Sequence, residues 1–396
     1  MKVESFFSNH TKLALKNEPP GSWIADVPDH CIRLNSGYPE SSLVPSAEVK
    51  EAAVYLLESE QDLPLQYLGS PSKDRLKRHI QARMEKRGII VSEEELLITA
   101  GACQAIDLIA QVLVDKDTVV AVEAPTYMEA IEIFQNYTDR FITVPIDEEG
   151  LRTDLFEQIL ADRKSNGQPL PRFLYCIPTF QNPTGTTLTP KRRQHLLELA
   201  ESYNFLIVED DAYGELGFVN SPQTLKSMDQ ANRVIYVGSL SKIVAPGLRI
   251  GWVSGVKELI EALFWFKKDL EHSYAEATMA TYLNKLNFEE HIIKLKESYQ
   301  KKCDRLLAAL ETYMPESVSW FVPKGGYFVW VKVPGIDTGQ LLSQALSKGV
   351  AFVPGQYFFL DKEEGKEYLR LSFSYADERE IVKGIQILGK VLEGKN

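Results

Sequence analysis

Between residues 96 and 255 the chain repeats one pattern. A short, unbroken apolar run is followed by a longer stretch with helical periodicity. "LLIT" (96–99) leads into "ACQAIDLIAQVLV" (102–114), and "TVVAVE" (118–123) into "YMEAIEIFQNY" (127–137). "RFLYCIP" (172–178) precedes "PKRRQHLLELAESY" (190–203), and "FLIVED" (205–210), "RVIYVGSL" (233–240) and "RIGWVSG" (249–255) complete the series. Continuous apolar strands are those covered on both faces, and helices between strands make them parallel. The pattern therefore predicts an α/β layered domain around a mainly parallel sheet. Beyond it, long helical stretches run on, followed by "VSWFVP", "GYFVWVKV" and "YLRLSFS" with "DTGQLLSQALSKG" between them, the mixture of a smaller α+β domain. The Pro/Gly-rich opening, "NEPPGS" and "NSGYPESSLVP", reads as an irregular lead-in.

Composition limits the function classes. A net charge of −11 over 396 residues argues against a nucleic-acid surface, which needs a basic face. Cys31, Cys103, Cys176 and Cys303 form no CxxC pair, and none of the six histidines has metal-ligand spacing, so neither a disulfide framework nor a metal site is expected. The first residues carry charges throughout, and no segment is apolar enough to span a membrane. The expectation is a cytoplasmic protein with no membrane partner.

In open parallel sheets, functional residues gather in the loops after the carboxyl ends of the strands. After "LLIT" comes "AGACQ" (100–104), a small-residue turn opening a helix; it is either an anion site or a tight turn with no ligand. "APTYMEA" presents Tyr127, which by itself reads equally as a packing aromatic. "TFQNPTGTTL" places Asn182 at a strand end, and "DDAYGEL" sets Asp210 and Tyr213 three apart, with Asp211 as a competing carboxylate. "SLSKIVAPGLRIG" (239–251) sets Lys242 among Ser239, Ser241 and Arg249, in a stretch too apolar for a solvated loop. Lys242 is either a helix-end cation or a partly buried amine beside an anion site.

"NPTG" (182–185), "DDAY" (210–213) and "SLSKIVAPGLRIGW" (239–252), in this order and at these separations, resemble the class I/II aminotransferases of fold type I, which use pyridoxal 5′-phosphate. The aminoadipate and kynurenine aminotransferase group is the nearest pattern, and the resemblance extends from "NSGYPE" to "RLSFS". It implies a large domain with a mainly parallel seven-stranded sheet between helices (residues 46–285) and a smaller α+β domain (286–396). An N-terminal segment (1–45) would join the small domain and cover the active site.

The resemblance also implies roles. Lys242 forms the Schiff base, with Arg249 and partial burial disfavouring its charged form, and then carries the proton. Asp210 holds the pyridine nitrogen protonated, Tyr213 and Asn182 bond the ring oxygen, and Tyr127 stacks on the ring. Gly101, Ala102, Cys103, Ser239, Ser241 and Arg249 bind the phosphate, with Tyr67 reaching in from a neighbouring subunit of a homodimer. The family often carries Ser-Gln at Ala102-Cys103, so one hydroxyl donor is missing here; Cys103 reads as a small turn residue. Arg370 takes the substrate α-carboxylate as a planar fork, alongside Asn182 and with Gly37 and Tyr38 over the substrate. The implied activity moves an amino group from an α-amino acid to a 2-oxo acid, 2-oxoglutarate foremost, by ping-pong chemistry. The same fold also serves lyases, decarboxylases and cyclases, and an aminotransferase-like domain also occurs as a regulatory module behind a helix-turn-helix; no basic helix-turn-helix is read ahead of residue 30 here.

Overall fold

The computed structural model describes residues 2–67, 70–268, 272–285 and 287–394. Its strands, in chain order, are β1 (Ile32–Arg33), β2 (Leu96–Thr99), β3 (Val120–Ala124), β4 (Phe141–Asp147), β5 (Gly150–Leu151), β6 (Phe173–Cys176) and β7 (Leu206–Asp210). β8 (Val234–Ser239), β9 (Gly251–Ser254), β10 (Ser319–Trp320), β11 (Phe328–Lys332), β12 (Val350–Ala351), β13 (Val353–Pro354) and β14 (Tyr368–Ser372) follow. The main sheet has the order β2-β9-β8-β7-β6-β3-β4-β5. β8, β7, β6, β3 and β4 are mutually parallel, β9 runs antiparallel to both its neighbours, and β5 pairs antiparallel with β4.

The sheet thus counts eight strands among the described residues where seven were expected. The additional one is the two-residue β5, made when "DEEGL" folds back on the end of β4. β4 itself is less uniformly buried than its neighbours, with Pro145 exposed, as suits a strand toward the sheet edge. Its mixed pattern, unlike the solid apolar runs beside it, is what hid it in the sequence.

Alternation along the strands builds two apolar layers. Val120, Val122, Phe173, Tyr175 and Val208 face the helices Ala102–Leu113 and Met128–Gln135. Ala121, Leu174, Cys176 and Ile207 face the helices Thr153–Ser165 and Pro190–Tyr203. Phe134 is fully buried in the first layer, edge-on to Phe173 and Tyr175 at 5.3 and 5.5 Å between centroids. Burial of such a ring stabilises by about 1.5–3 kcal/mol.

A second sheet, β10-β11-β14-β13, carries Arg370 on β14. It packs in one apolar cluster with the long helix Phe288–Tyr313 and the C-terminal helix Glu378–Glu393. The opening of the chain is less irregular than expected: it contains the helix Asn9–Ala14, and β1 pairs parallel with β12. That pairing ties residues 32–33 to the C-terminal part of the molecule.

β3 leads to β4 on one side and β6 to β7 and β8 on the other, so the winding direction switches between β3 and β6. On β8, Gly238 lies opposite Trp252, and an added Cβ would fall 2.2 Å from the indole ring. Gly238→Ala is expected to cost about 1–3 kcal/mol through overpacking. A fall in thermal midpoint, with the cofactor spectrum unchanged, checks it.

Candidate active site

Residues at the carboxyl ends of β2, β3, β6, β7 and β8 make up the candidate site. The helix Ala102–Leu113 begins just beyond β2 with Gly101 as its N-cap, at φ 85°. A Cβ on Gly101 would sit 2.5 Å from the Arg249 guanidinium, which donates to the Ala100 carbonyl at 3.0 Å. Gly251 presses equally close, its notional Cβ 2.5 Å from the Gly101 carbonyl carbon. Across the β8–β9 pair, Ser239 opposite Gly251 donates to Ser241 at 2.9 Å, and both serines are buried. Helix N-terminal amides, two hydroxyls and a guanidinium therefore surround one concavity, which is chemistry suited to a phosphate.

Asp210 ends β7. Its carboxylate accepts from the buried Tyr175 hydroxyl at 2.8 Å and from the Ala212 amide at 3.2 Å. Burial pushes its carboxyl up to about 6, against the Tyr175 hydrogen bond. Asp211, one residue on, lies on the opposite side of the strand line. It pairs with Arg87 at 3.0 Å and accepts from Tyr236 at 2.9 Å. Strand alternation thus separates two adjacent carboxylates that the sequence left in competition.

Lys242 follows β8. Its amine donates to the Gly37 carbonyl at 2.9 Å and lies 5.9 Å from the centre of the Tyr213 ring. Burial, and then the charge of Arg370, depress its pKa to about 8. The cation acting on Lys242 is therefore Arg370, not Arg249 as expected; Arg249 is occupied at Ala100 and Gly101.

Arg370 is buried across the ring of Phe328, 4.1 Å from its centre. One guanidinium nitrogen donates to the Asn182 side chain at 2.8 Å and another to the Asn35 carbonyl at 3.1 Å, while Nε is buried without a partner. Burial lowers its pKa to about 10. An unpaired buried N–H costs free energy that an incoming acceptor removes, so the side chain is set for a ligand.

The lysine backbone is braced from the other sheet. Tyr327 donates to the Lys242 carbonyl at 2.7 Å, its hydroxyl lies 3.3 Å from that of Tyr299, and Tyr299 accepts from the Glu40 amide. Lys302 pairs with Glu40 at 3.0 Å, and Ser374 donates to the Tyr38 carbonyl at 2.7 Å. Residues 35–40 are held over Lys242 by these bonds.

Tyr127 precedes the helix Met128–Gln135 and contacts Cys103, with 3.7 Å from hydroxyl to thiol. Burial, and then the neighbouring Glu129, push the Cys103 thiol up to about 12, which leaves it a neutral turn residue. Two expected residues stand apart from this cluster: Tyr67 is 84% exposed, and the side chain of Tyr38 is 62% exposed beside Tyr375. Sequence reasoning missed Tyr175, Tyr327, Phe328 and Glu129. Tyr175 carried a signal, since a tyrosine inside a strand buried on both faces must place its hydroxyl on a partner. Glu129 carried none, because "YMEAIEIF" reads as an ordinary amphipathic helix.

A mainly parallel sheet with an anion cradle, a depressed lysine and a buried acid at its carboxyl ends is the fold type I architecture of pyridoxal-phosphate enzymes. The chain belongs to the family aminotransferase class I and II, whose pattern matches residues 29–388; it is a pyridoxal 5′-phosphate-dependent aminotransferase. It is similar to aromatic-amino-acid aminotransferase 1 of Thermococcus litoralis, 38% identical over 368 residues that cover 91% of this chain and 88% of that one. The structure of kynurenine aminotransferase from Pyrococcus horikoshii, in complex with PMP, is 36% identical with a TM-score of 0.90, covering 100% of this chain and 98% of that one. That of α-aminoadipate aminotransferase from Thermus thermophilus, complexed with N-(5′-phosphopyridoxyl)-L-leucine, is 34% identical with a TM-score of 0.88, covering 100% and 99%.

The Lys242 amine sets a pH test. Because its pKa is lowered, condensation of the apo-protein with an aldehyde should rise with pH around a midpoint near 8. Arg370→Met removes a repelling cation, so the midpoint should move upward; stopped-flow absorbance against pH reads both.

Proposed function

We propose that this enzyme transfers an amino group from an α-amino acid to a 2-oxo acid in two alternating half-reactions, with Lys242 as the amine that joins the cofactor. The observation that carries the reading is that Lys242, Asp210 and Arg370, from three separate strands or strand ends, lie close enough for both Arg370 and Asp210 to act on the Lys242 amine, while Arg370 keeps an unpartnered Nε. The cofactor, when bound, supplies an electrophilic carbon for Lys242 and an electron sink for the carbanion formed at the substrate α-carbon. Asp210 offers its carboxylate to a cationic ring nitrogen, and such a partner draws its raised pKa back down. Tyr213 and Asn182 are the donors for the ring oxygen, and Tyr127 covers the ring face. Gly101, Ala102, Cys103, Ser239, Ser241 and Arg249 form the phosphate cradle.

Arg370 binds the α-carboxylate as a fork, sharing Asn182 with the cofactor site, while the backbone of Gly37 and Tyr38 covers the site beside Lys242. Lys242 Nζ, once free, takes the proton from the substrate α-carbon; its depressed pKa favours the neutral base. Both substrates carry a carboxylate for Arg370, which is why one pocket serves both half-reactions. The acceptors to assay first are 2-oxoglutarate and pyruvate.

The active form is a homodimer in this reading. The turn around Leu63–Leu65 leaves Leu65 65% and Tyr67 84% exposed, and the helix Lys257–Phe266 ends with Trp265 73% exposed. Such apolar surface favours a second copy of the chain, whose Tyr67 would complete the phosphate cradle. The four cysteines are unpaired, and no helix among the described residues is long and apolar enough to cross a membrane; both support a cytoplasmic setting.

Single-turnover kinetics test the reading. Lys242→Ala should abolish turnover with the fold intact, and Arg370→Lys should weaken both half-reactions by about 1.5–3 kcal/mol each. Loss confined to one half-reaction would defeat the shared clamp. Asp210→Asn should cut turnover about a hundredfold or more, whereas Asp211→Asn should mainly lower thermal stability by weakening the buried Arg87 pair. Sedimentation of a fully active monomer would remove Tyr67 from the site.

A further inference from the structure

Strand β3 carries a buried carboxyl to which the reading above gives no task. Glu123 reaches across to the residue after β6, where its Oε2 accepts from the Ile177 amide at 3.0 Å. The same oxygen accepts from the Gln181 side-chain amide at 3.1 Å. Both partners are neutral, and burial pushes the Glu123 pKa up to about 7, against those two hydrogen bonds. Burying a carboxyl without a cation hydrogen-bonded to it costs free energy that two amide donors offset only in part.

Gln181 passes that anchorage on. Its Nε2 also donates to the Pro125 carbonyl at 2.8 Å, while Oε1 accepts from the Thr184 amide at 2.8 Å and the Thr184 hydroxyl at 2.7 Å. The reversed amide would set an oxygen against the Glu123 carboxylate and an NH2 against the Thr184 N–H, so one orientation is fixed. The backbone of Gln181 closes the same turn, donating to the Thr186 carbonyl at 2.9 Å and accepting from the Gly185 amide at 2.7 Å. Gly185, at φ 71°, presses on β11, where an added Cβ would fall 2.5 Å from the Phe328 carbonyl oxygen. Asn182 lies inside this turn. Its Oδ1 is taken by Arg370 at 2.8 Å, which leaves Nδ2 as the donor for the cofactor ring oxygen.

We infer that Glu123 is a positioning residue: through Gln181 it holds the turn 181–186 so that the Asn182 amide spans from the Arg370 clamp to the cofactor ring oxygen. The assignment rests on the aminotransferase reading above, in which Asn182 is a donor to that oxygen.

The visible absorbance of the protein loaded with pyridoxal 5′-phosphate, titrated against pH, reads the Asn182 contact without turnover. A donor at the ring oxygen favours the form with negative charge there, so misplacing it raises the absorbance midpoint. Removing a nearby negative charge has the opposite sign, because the protonated form loses stabilisation. Glu123→Leu deletes the acceptor and should move the midpoint upward by about 0.5–1 pH unit. Gln181→Leu leaves Glu123 in place and should move it the same way; it decides alone if Glu123→Leu does not fold. Glu123→Gln keeps an acceptor oxygen and should stay within about 0.2 pH unit of wild type. A lower thermal midpoint in Glu123→Leu with the absorbance midpoint unmoved would make Glu123 structural only and overturn the assignment. So would a downward shift in Glu123→Leu or Glu123→Gln, the mark of a direct charge effect. Asn182→Ala separates this assignment from the reading beneath it. An upward shift there, with none in Gln181→Leu, keeps Asn182 on the ring oxygen and removes Glu123. No shift in Asn182→Ala means that the ring-oxygen contact itself is wrong.

Discussion

Two cations, Lys242 and Arg370, share one chamber, and neither has a carboxylate hydrogen-bonded to it. Their partners are carbonyls and one side-chain amide: Gly37 for the lysine, Asn35 and Asn182 for the arginine. Burial and mutual repulsion depress the lysine, and burial depresses the arginine. Charges held this way cost free energy in the folded protein, on the order of several kcal/mol for an unpaired buried ion. Anions that enter the chamber recover that cost. Asp210 and Glu129, the carboxylates that act on Lys242 through space, bond neither cation, so the fold holds both where substrate and cofactor anions can pair with them.

The parallel sheet makes this arrangement possible because its strand ends point the same way. β7 delivers Asp210 to the chamber and turns Asp211 to Arg87 and Tyr236, so a single residue of register separates a functional acid from a structural one. β8 and β9, paired through Ser239 and Gly251, bring the hydroxyls against the glycine N-cap of the helix after β2. Arg370 comes from the other sheet. Bonds across the two, from Tyr327 to the Lys242 carbonyl and from Arg370 to Asn182, fix the distance between clamp and amine. The segment 35–40 is secured in the same way, by Glu40 on Lys302 and Tyr299. Changes far from Lys242 on the helix Phe288–Tyr313 should therefore be felt at the amine.

Local sequence carried much of this. Unbroken apolar runs marked β2, β3, β6, β7 and β8, because strands with helices on both faces have no polar side to show. Turn residues and small side chains marked the strand ends, and the spacing of Lys242, Asp210, Asn182 and Arg249 carried the family. β4 and the helix Thr153–Ser165 escaped, as an edge-side strand keeps a mixed pattern and the helix that follows is only half buried. The sequence also assigned Arg249 to the environment of Lys242, since proximity along the chain was the only proximity it could offer.

Local sequence dictates the repertoire: which strands form, where they end, and which amine, acid and guanidinium stand at those ends. Tertiary structure decided which charges meet. Arg370, from a strand more than a hundred residues further along the chain, is the cation that acts on Lys242. Tyr175 was chosen for Asp210 by the neighbouring strand, and Glu129 was turned inward by the docking of its helix on the sheet. The physical reason is that propensity and periodicity act over a few residues, whereas desolvation and Coulomb forces act through space between groups the chain alone leaves far apart.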